Sequence, residues 1–361
     1  MSKMSRFSVL TVAILALGAG CDDKGSSAGG GGGAASAPPA EVRIGYFANL
    51  THAQGVLGVA SGEFQQTVQP AKVTTKVFNA GPSLVEALFA GEIDIGYVGP
   101  GPALAAHDKS RGQGVRIVAG AAANGVLIVA RKDSGIESLK DLAGKRVATP
   151  QHGNTQDIAA RFYLTKQLGQ KDHNNVVPVA NAEQAAMMTR QQIDAAWAPE
   201  PWGSFLVSQA GAKVIAEEKD LWPQKEFSIT VVVTTPEFLR KHPDVVEKVL
   251  GVHRSWTKRL NEAPEKHVPQ LKSALFDLTK KALPEGVVES ALKHTKFTDE
   301  PLPHTFDVMA DWSYQLGFSR QKTDVKGLID TTLLRKLQAS PSAEPAQPSA
   351  EAQPAGAKAG S

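Results

Sequence analysis

Only one cysteine, Cys21, occurs in the 361 residues. An intrachain disulfide framework and a CxxC zinc or redox site are therefore both excluded. Charge imbalance is almost absent as well. The formal net charge is +3 at pH 7, and no basic run or basic helix face is present, so no nucleic-acid partner is expected. The nine histidines are scattered and none forms a metal-ligand spacing such as HxxxH, so no metal site is expected either. No apolar run reaches the roughly 20 residues of a permanent membrane helix. What is present is 42% hydrophobic and 21% charged residues, the balance of a soluble globular protein. The length suffices for two ordinary domains.

The N-terminus has a layout of its own. Lys3 and Arg6 precede an apolar stretch from Phe7 to Leu17, followed by the small residues Gly18, Ala19 and Gly20. This is the pattern of a secretory signal peptide over residues 1–20. The ending "LGAGC" resembles the bacterial lipoprotein lipobox, with Gly18 where leucine is usual and Leu17 one place earlier. That resemblance implies lipidation of Cys21 and a membrane anchor there; ordinary secretion with a leftover thiol is the alternative. Asp22 resembles the signal that keeps lipoproteins on the inner membrane of enteric bacteria. The expected location is the periplasmic face of the inner membrane or, more generally, the extracytoplasmic membrane face. Residues 21–40 form a Gly/Ser/Ala linker that cannot bury a core and would span about 25 Å as a flexible tether. Its glycine run lacks the preceding strand and the following GK[ST] of a phosphate loop. The Pro/Ala-rich tail, 340–361, is also of low complexity.

Between these ends, strand and helix patterns alternate. "VRIGYF", "KVTTKVF" and "IDIGYVG" read as strands, and "AQGVLGVASGEF" and "SLVEALFAG" as helices, the second with a capping-box spacing from Ser83 to Glu86 and a terminal Gly91. "RIVAGAA" and "GVLIVARK" follow as strands. The pattern then restarts at "KRVAT", with "IAARFYLTKQLG", "NNVVPVA", "AEQAAMMTRQ", "IDAAWAP", "PWGSFLVSQAG" and "AKVIA". After "EFSITVVVTTPEFL" the chain reads as helical. This rhythm predicts an α/β fold with mostly parallel, doubly wound sheets.

A repeat lies within the rhythm. "ALFAGEIDIGYVGPGP" and "MMTRQQIDAAWAPEPW" superpose at an offset of one hundred, matching Ile93-Asp94 to Ile193-Asp194 and Tyr97 to Trp197. Upstream, "RIGYFANLTHAQ" parallels "RVATPQHGNTQD". Two similar lobes follow from both pairs occurring in the same order. In open α/β sheets, ligands bind beyond the carboxyl ends of the strands. Four strand-to-helix loops, 47–53, 99–104, 151–157 and 199–204, would then point helix N-termini into one cleft that favours an anion.

Together, "RIGYFANLTHAQGVLGVASGEF", "GPSLVEALFAGEIDIGYVGPGPAL", "DSGIESLKDLAGKRVATPQHGNTQDIAARFYL", "IDAAWAPEPWGS" and "TPEFLRKHPDVV" resemble the substrate-binding proteins of ABC transporters. The subgroup they are most similar to binds aliphatic sulfonates, taurine, nitrate or bicarbonate. The resemblance implies a bilobal periplasmic-binding-protein type II fold, two sheets joined by two crossover strands, placed near 127–132 and 227–233. Lobe 1 would hold 41–129 plus 229–339, and lobe 2 would hold 130–228. It further implies a monomeric receptor that closes on a small anionic solute and delivers it to a membrane permease and ATPase, without a cofactor and without catalysis. Phosphonates and aromatic carboxylates are alternative ligands. Enzymes of menaquinone biosynthesis share the fold and supply the alternative function, although no paired acid and base with an activated nucleophile is evident.

Candidate ligand residues follow loop by loop. Asn49, Thr51 and His52 suit either helix capping or contact with an anion. Gly99, Gly101 and Pro102 allow close approach of a ligand to backbone N–H groups, with Pro102 able to open the next helix. Asn124 suits an anion contact or a turn. Gln151, His152, Asn154 and Thr155 form the second lobe's loop, one of the last two capping the helix with Asp157 as acidic partner. Trp197 and Trp202 would wall an organic tail. Glu200 would suit an amine or hold its own loop, and Lys225 would suit an anion or solvent.

Overall fold

The computed structural model describes residues 38–339; the signal, lipidation, most of the linker and the tail expectations fall outside them. Among the described residues, eleven strands form two sheets. The chain first lays down β1 (Glu41–Phe47), α1 (Ala53–Ala60), α2 (Glu63–Thr67), β2 (Lys72–Phe78), α3 (Gly81–Phe89), β3 (Ile95–Val98), α4 (Pro100–Lys109) and β4 (Arg116–Asn124). One residue later it enters the second sheet with β5 (Val126–Ala130). There follow β6 (Val147–Thr149), α5 (Thr155–Phe162), β7 (Val176–Pro178), α6 (Asn181–Thr189), β8 (Ala195–Pro199), α7 (Trp202–Ala210) and β9 (Lys213–Glu217). It then returns through β10 (Ser228–Thr234), α8 (Pro236–Lys241), α9 (Pro243–Glu262), α10 (Val268–Thr279), α11 (Val287–His294), β11 (Thr295–Phe297), α12 (His304–Gln315) and α13 (Thr332–Ala339).

The sheets have the same plan. The first runs β11-β4-β10-β3-β1-β2 and the second β7-β6-β8-β5-β9. In each, three parallel strands (β2-β1-β3 and β7-β6-β8) are followed by one reversed strand, β10 or β5, and then by β4 or β9. The expectation of mostly parallel sheets is corrected to mixed sheets. The reason is topological: a strand that carries the chain from the other lobe starts at the cleft edge and runs away from it. It must oppose strands whose carboxyl ends point at the cleft.

The crossings also lie elsewhere than expected. The first is at Asn124–Gly125, so residues 126–129, assigned above to lobe 1, stand in the second sheet. Both residues have positive φ, 61° and 70°, which the short polar side chain of asparagine and the bare glycine tolerate. The second crossing is the segment between β9 and β10. Its first turn, Glu218–Leu221, is a 3-10 helix. Its end is tied to the first: Asn124 N–H donates to the Phe227 carbonyl, and Phe227 N–H donates to Asn124 Oδ1.

The hundred-residue repeat is visible in ion pairs. Asp94 accepts from the Arg43 backbone N–H at 2.8 Å and Nε at 2.9 Å. Asp194 accepts from the Arg146 backbone N–H at 2.9 Å and Nε at 3.0 Å. Each arginine also reaches the carbonyl of the turn before its aspartate, Gly91 or Gln191. Arg131 adds a second partner to Asp194. These pairs brace β1 to β3 and β6 to β8 at the strand ends away from the cleft, and they hold Asp194 well below the usual carboxylate range. Ile93 and Ile193, beside them, are fully buried.

Two local expectations are corrected. α3 starts at Gly81, so Ser83 lies within its first turn and donates to the Ala80 carbonyl instead of capping; Gly91 does close that helix with φ 68°. The region after β10 is helical except for β11, a three-residue strand whose partner β4 offered a free edge.

Candidate functional site

A small cavity of about 20 Å³ lies between the carboxyl ends of the parallel strands of the two sheets. Loops after β1, β2 and β3 line it from one side, loops after β6, β7 and β8 from the other, and β10 supplies Ile229 and Thr230. The lobes touch directly. Gly101 N–H donates to Thr155 Oγ1 at 3.2 Å, Trp202 Nε1 to Asn49 Oδ1 at 2.8 Å, and Leu50 N–H to the Glu200 carbonyl at 3.0 Å. Farther out, the Phe162 ring stacks on Trp312 of α12 at 4.6 Å.

His52 closes a short 3-10 turn, Leu50–His52, and is 2% exposed. Its ring lies 4.2 Å from that of Phe47. Burial pushes its pKa down to about 3, so the imidazole stays neutral at physiological pH and carries one N–H. Its Nδ1 and the hydroxyl of Thr51 are buried without a hydrogen-bond partner, and both residues line the cavity. Such atoms are costly unless something satisfies them. Neither Asn49 nor Thr51 caps the turn, contrary to one of the two roles expected, and Asn49 spends its Oδ1 on Trp202.

Across the cavity, Asn154 caps α5 by accepting from Asp157 N–H at 2.8 Å. Asp157 in turn accepts from Gly153 N–H, Thr149 Oγ1 and Arg161 Nε. This is the capping pattern read from the sequence. The adjoining Thr155 and Gln156 face the cavity with the first turn of α5, where backbone N–H groups lack helical partners.

The remaining candidates divide between the cavity and the scaffold. α4 begins at Pro100, with Gly99 as its N-cap, so Pro102 is its third residue. Two prolines in that first turn remove two donors, and Gly101 N–H, the one left between them, goes to Thr155. The α4 end thus makes a lobe contact, while Gly99 and Pro102 stand in the cavity's walls as expected. Asn124 is the hinge tie described above. Trp197 is fully buried and donates to Glu218 Oε2 at 2.7 Å. Neither Trp197 nor Trp202 is among the cavity's walls; the indoles serve the core and the lobe contact. Glu200, fully buried, accepts from Ser204 N–H and Oγ, holding its own loop and not an amine. Burial pushes its pKa up to about 7. His152 is largely exposed, 3.2 Å from Asp157 and beside Phe318, on a different groove. Gln151 and Lys225 are also absent from the cavity's walls, and Lys225 is exposed on a turn with φ 52°.

Several lining residues escaped the sequence reading. Asn79 and Asn181 occupy equivalent loops, after β2 and β7. The rule that ligands bind beyond strand carboxyl ends, applied to every strand of the repeat, would have found both. Thr230, inside an apolar strand, left no such signal. Among the described residues that line the cavity, none is Lys, Arg, Asp or Glu. Nor do the described residues contain a cluster of three or more His, Cys, Asp or Glu able to hold a metal ion.

Comparison with known proteins places this geometry. The model of the NMT1-like family matches residues 35–272. A protein of Bacillus subtilis (strain 168) named "Putative aliphatic sulfonates-binding protein" is 27% identical over 349 residues, covering 92% of this chain and 97% of that one. The taurine-binding periplasmic protein of Escherichia coli (strain K12) is 29% identical over 181 residues, 49% of this chain and 54% of that one. Among solved structures, the alkanesulfonate-binding protein SsuA of Xanthomonas axonopodis pv. citri, bound to MOPS, superposes with a TM-score of 0.68 at 24% identity, covering 82% of this chain and 99% of that one. The periplasmic nitrate-binding protein NrtA of Synechocystis PCC 6803 gives 0.70 at 15% identity, covering 83% and 89%. Both share the bilobal fold.

Proposed function

The chain belongs to the NMT1-like family, and from that premise we propose that it is the extracytoplasmic solute receptor of an ABC importer, binding a small anion of the sulfonate or nitrate kind. The observation that carries the reading is the cavity between two sheets of one plan, where buried and unpartnered Thr51 and His52 face the N-terminus of α5. Hydrogen-bond donors and helix ends, not formal cations, would hold the anion. The names of the relatives support the same class of ligand. Binding without catalysis fits a wall that contains no acid–base pair.

The proposed lobes are residues 41–124 with 228–339, and 126–217. Gly125 and the segment 218–227 form the hinge between them. Closure would bring Thr155 to Gly101 and Trp202 to Asn49, and the closed form would be presented to the permease and ATPase. A lipid on Cys21 and the Gly/Ser linker would tether a monomer at the membrane. Among the described residues, no helix is long and apolar enough to cross a membrane.

A thermal-shift screen tests the reading, with sulfonates, taurine, nitrate, bicarbonate, phosphonates and aromatic carboxylates as probes. A true ligand at 100 times its dissociation constant stabilises the fold by about 2.7 kcal/mol. Turnover of that ligand by the purified protein, or no shift with any of these classes, sinks the receptor reading.

A further inference from the structure

A second cavity, of about 240 Å³, opens toward the C-terminal end of α5. Among the described residues, none lines both this cavity and the one between the sheets. Beyond Phe162 the helix widens into a π-helical turn, Tyr163–Gln167, in which Leu168 N–H donates to the Tyr163 carbonyl at 3.0 Å. Such turns are rare and occur often at functional sites. Ala159, Phe162, Tyr163 and Gln167 form one wall. Trp312 of α12 forms the second. The 3-10 turn that opens the hinge segment forms the third, through Glu218, Asp220 and Leu221.

The chemistry of these walls is one-sided. They combine three aromatic rings with two carboxylates, and among the described residues they contain no Lys, Arg or His. Glu218 is fully buried. Its two oxygens accept only from the neutral indoles of Trp197 and Trp222, and no ion pair offsets its charge. A buried carboxylate is ordinarily paired with a cation. The bases on the same elements are committed or turned away. Arg161 pairs with Asp157 and Lys219 with Glu217, while Lys166 is exposed and outside the walls. Aromatic faces attract cations, most strongly where water is excluded. A primary ammonium would bring three N–H groups to satisfy, and both Glu218 oxygens are already engaged. A quaternary ammonium brings none.

We propose that this cavity is a second binding site, for a small quaternary ammonium ion, with Phe162, Tyr163 and Trp312 as its aromatic wall and Glu218 and Asp220 as its counter-charge. The site goes beyond the receptor reading and does not depend on it. Its walls come from α5, α12 and the hinge turn, and the Phe162–Trp312 stack already joins the first two. A bound cation therefore ties elements of both proposed lobes to the hinge.

Calorimetric titration of the purified full chain with choline is the test, set against its uncharged analogue in which carbon replaces the ammonium nitrogen. Burial pushes the Glu218 carboxyl up to about 7, so the titrations are run at about pH 8, where its ionised form dominates. Choline should bind at least about tenfold tighter than the neutral analogue. Tyr163→Leu removes a π face and should weaken choline about fivefold. Glu218→Gln removes the buried charge and should weaken it about tenfold. Equal affinity for the two compounds, or no binding of choline, overturns the site. Unchanged choline affinity in Tyr163→Leu, where a half-buried ring is lost, overturns its location even if Glu218→Gln does not fold. Unchanged affinity in a folded Glu218→Gln overturns the counter-charge. The solute screen on the same protein is read separately, so failure of this site leaves the receptor reading standing.

Discussion

At the residue scale, the structure separates polar side chains that face the cavity from those that hold the scaffold. Glu218 belongs to the second group. It is fully buried, accepts from the indoles of Trp197 and Trp222 at 2.7 and 3.1 Å, and is pushed by burial up to about pKa 7. Its folded value lies above its ordinary value. The unfolded chain therefore loses this proton first, and stability falls as pH rises from about 4.5 to about 7. The loss attributable to the residue is about 3 kcal/mol over that window. Glu218→Gln does not titrate, so its stability relative to wild type should improve between about pH 5 and about pH 8. Urea unfolding at the two pH values measures this; an equal difference at both would show that Glu218 is ionised throughout. Nothing in the residue pattern points to this carboxyl. "AEEKDLW" reads as a solvated turn, and only the tertiary packing of two tryptophans around it makes it buried. Trp197 and Trp202 are absent from the cavity's walls for the same reason: an aromatic in a cleft-edge motif does not disclose which way it points.

At the scale of elements, α4 shows what a motif hides. "GPGP" was legible as a strand-to-helix turn at the cleft. The count of its free donors required the helix start, which falls at Pro100 and not Pro102. A Cβ on Gly99 would stand 2.4 Å from Thr155 Oγ1. In Gly99→Ala, Thr155 must turn away and Gly101 N–H loses its acceptor. Each lobe should fold as before, but the closed arrangement loses about 1.4 kcal/mol, a tenfold weaker apparent affinity. Small-angle scattering and titration together check this; tight binding with no opening would sink it. The elements themselves were mostly readable, since apolar periodicity and the restart at Arg146 fix ten of eleven strands. The reversed directions of β5 and β10 were not, because periodicity carries no sense of direction. Nor was β11: "HTKF" gains its pairing only from the free edge of β4.

At the scale of the whole molecule, the repeat accounts for the equivalent braces, Arg43–Asp94 and Arg146–Asp194, and for the opposed loops that make the cavity. Its symmetry is imperfect in one respect. The second sheet is built from the continuous stretch 126–217, whereas the first keeps β3 and β4 apart until β10 fits between them. A chain that emerges N-terminus first therefore completes its later-starting half before its earlier one. Over the hundred-odd residues from β4 to β10, the first half is a pair of strand groups with an open slot and apolar edges. A chain stopped at Lys225 should yield a protease-resistant core from 126–217 and a digested 41–124; the reverse pattern would refute the order. The slot makes the first half dependent on residues synthesised after the second half, and it marks that interval as the one in which a nascent chain most needs protection from aggregation.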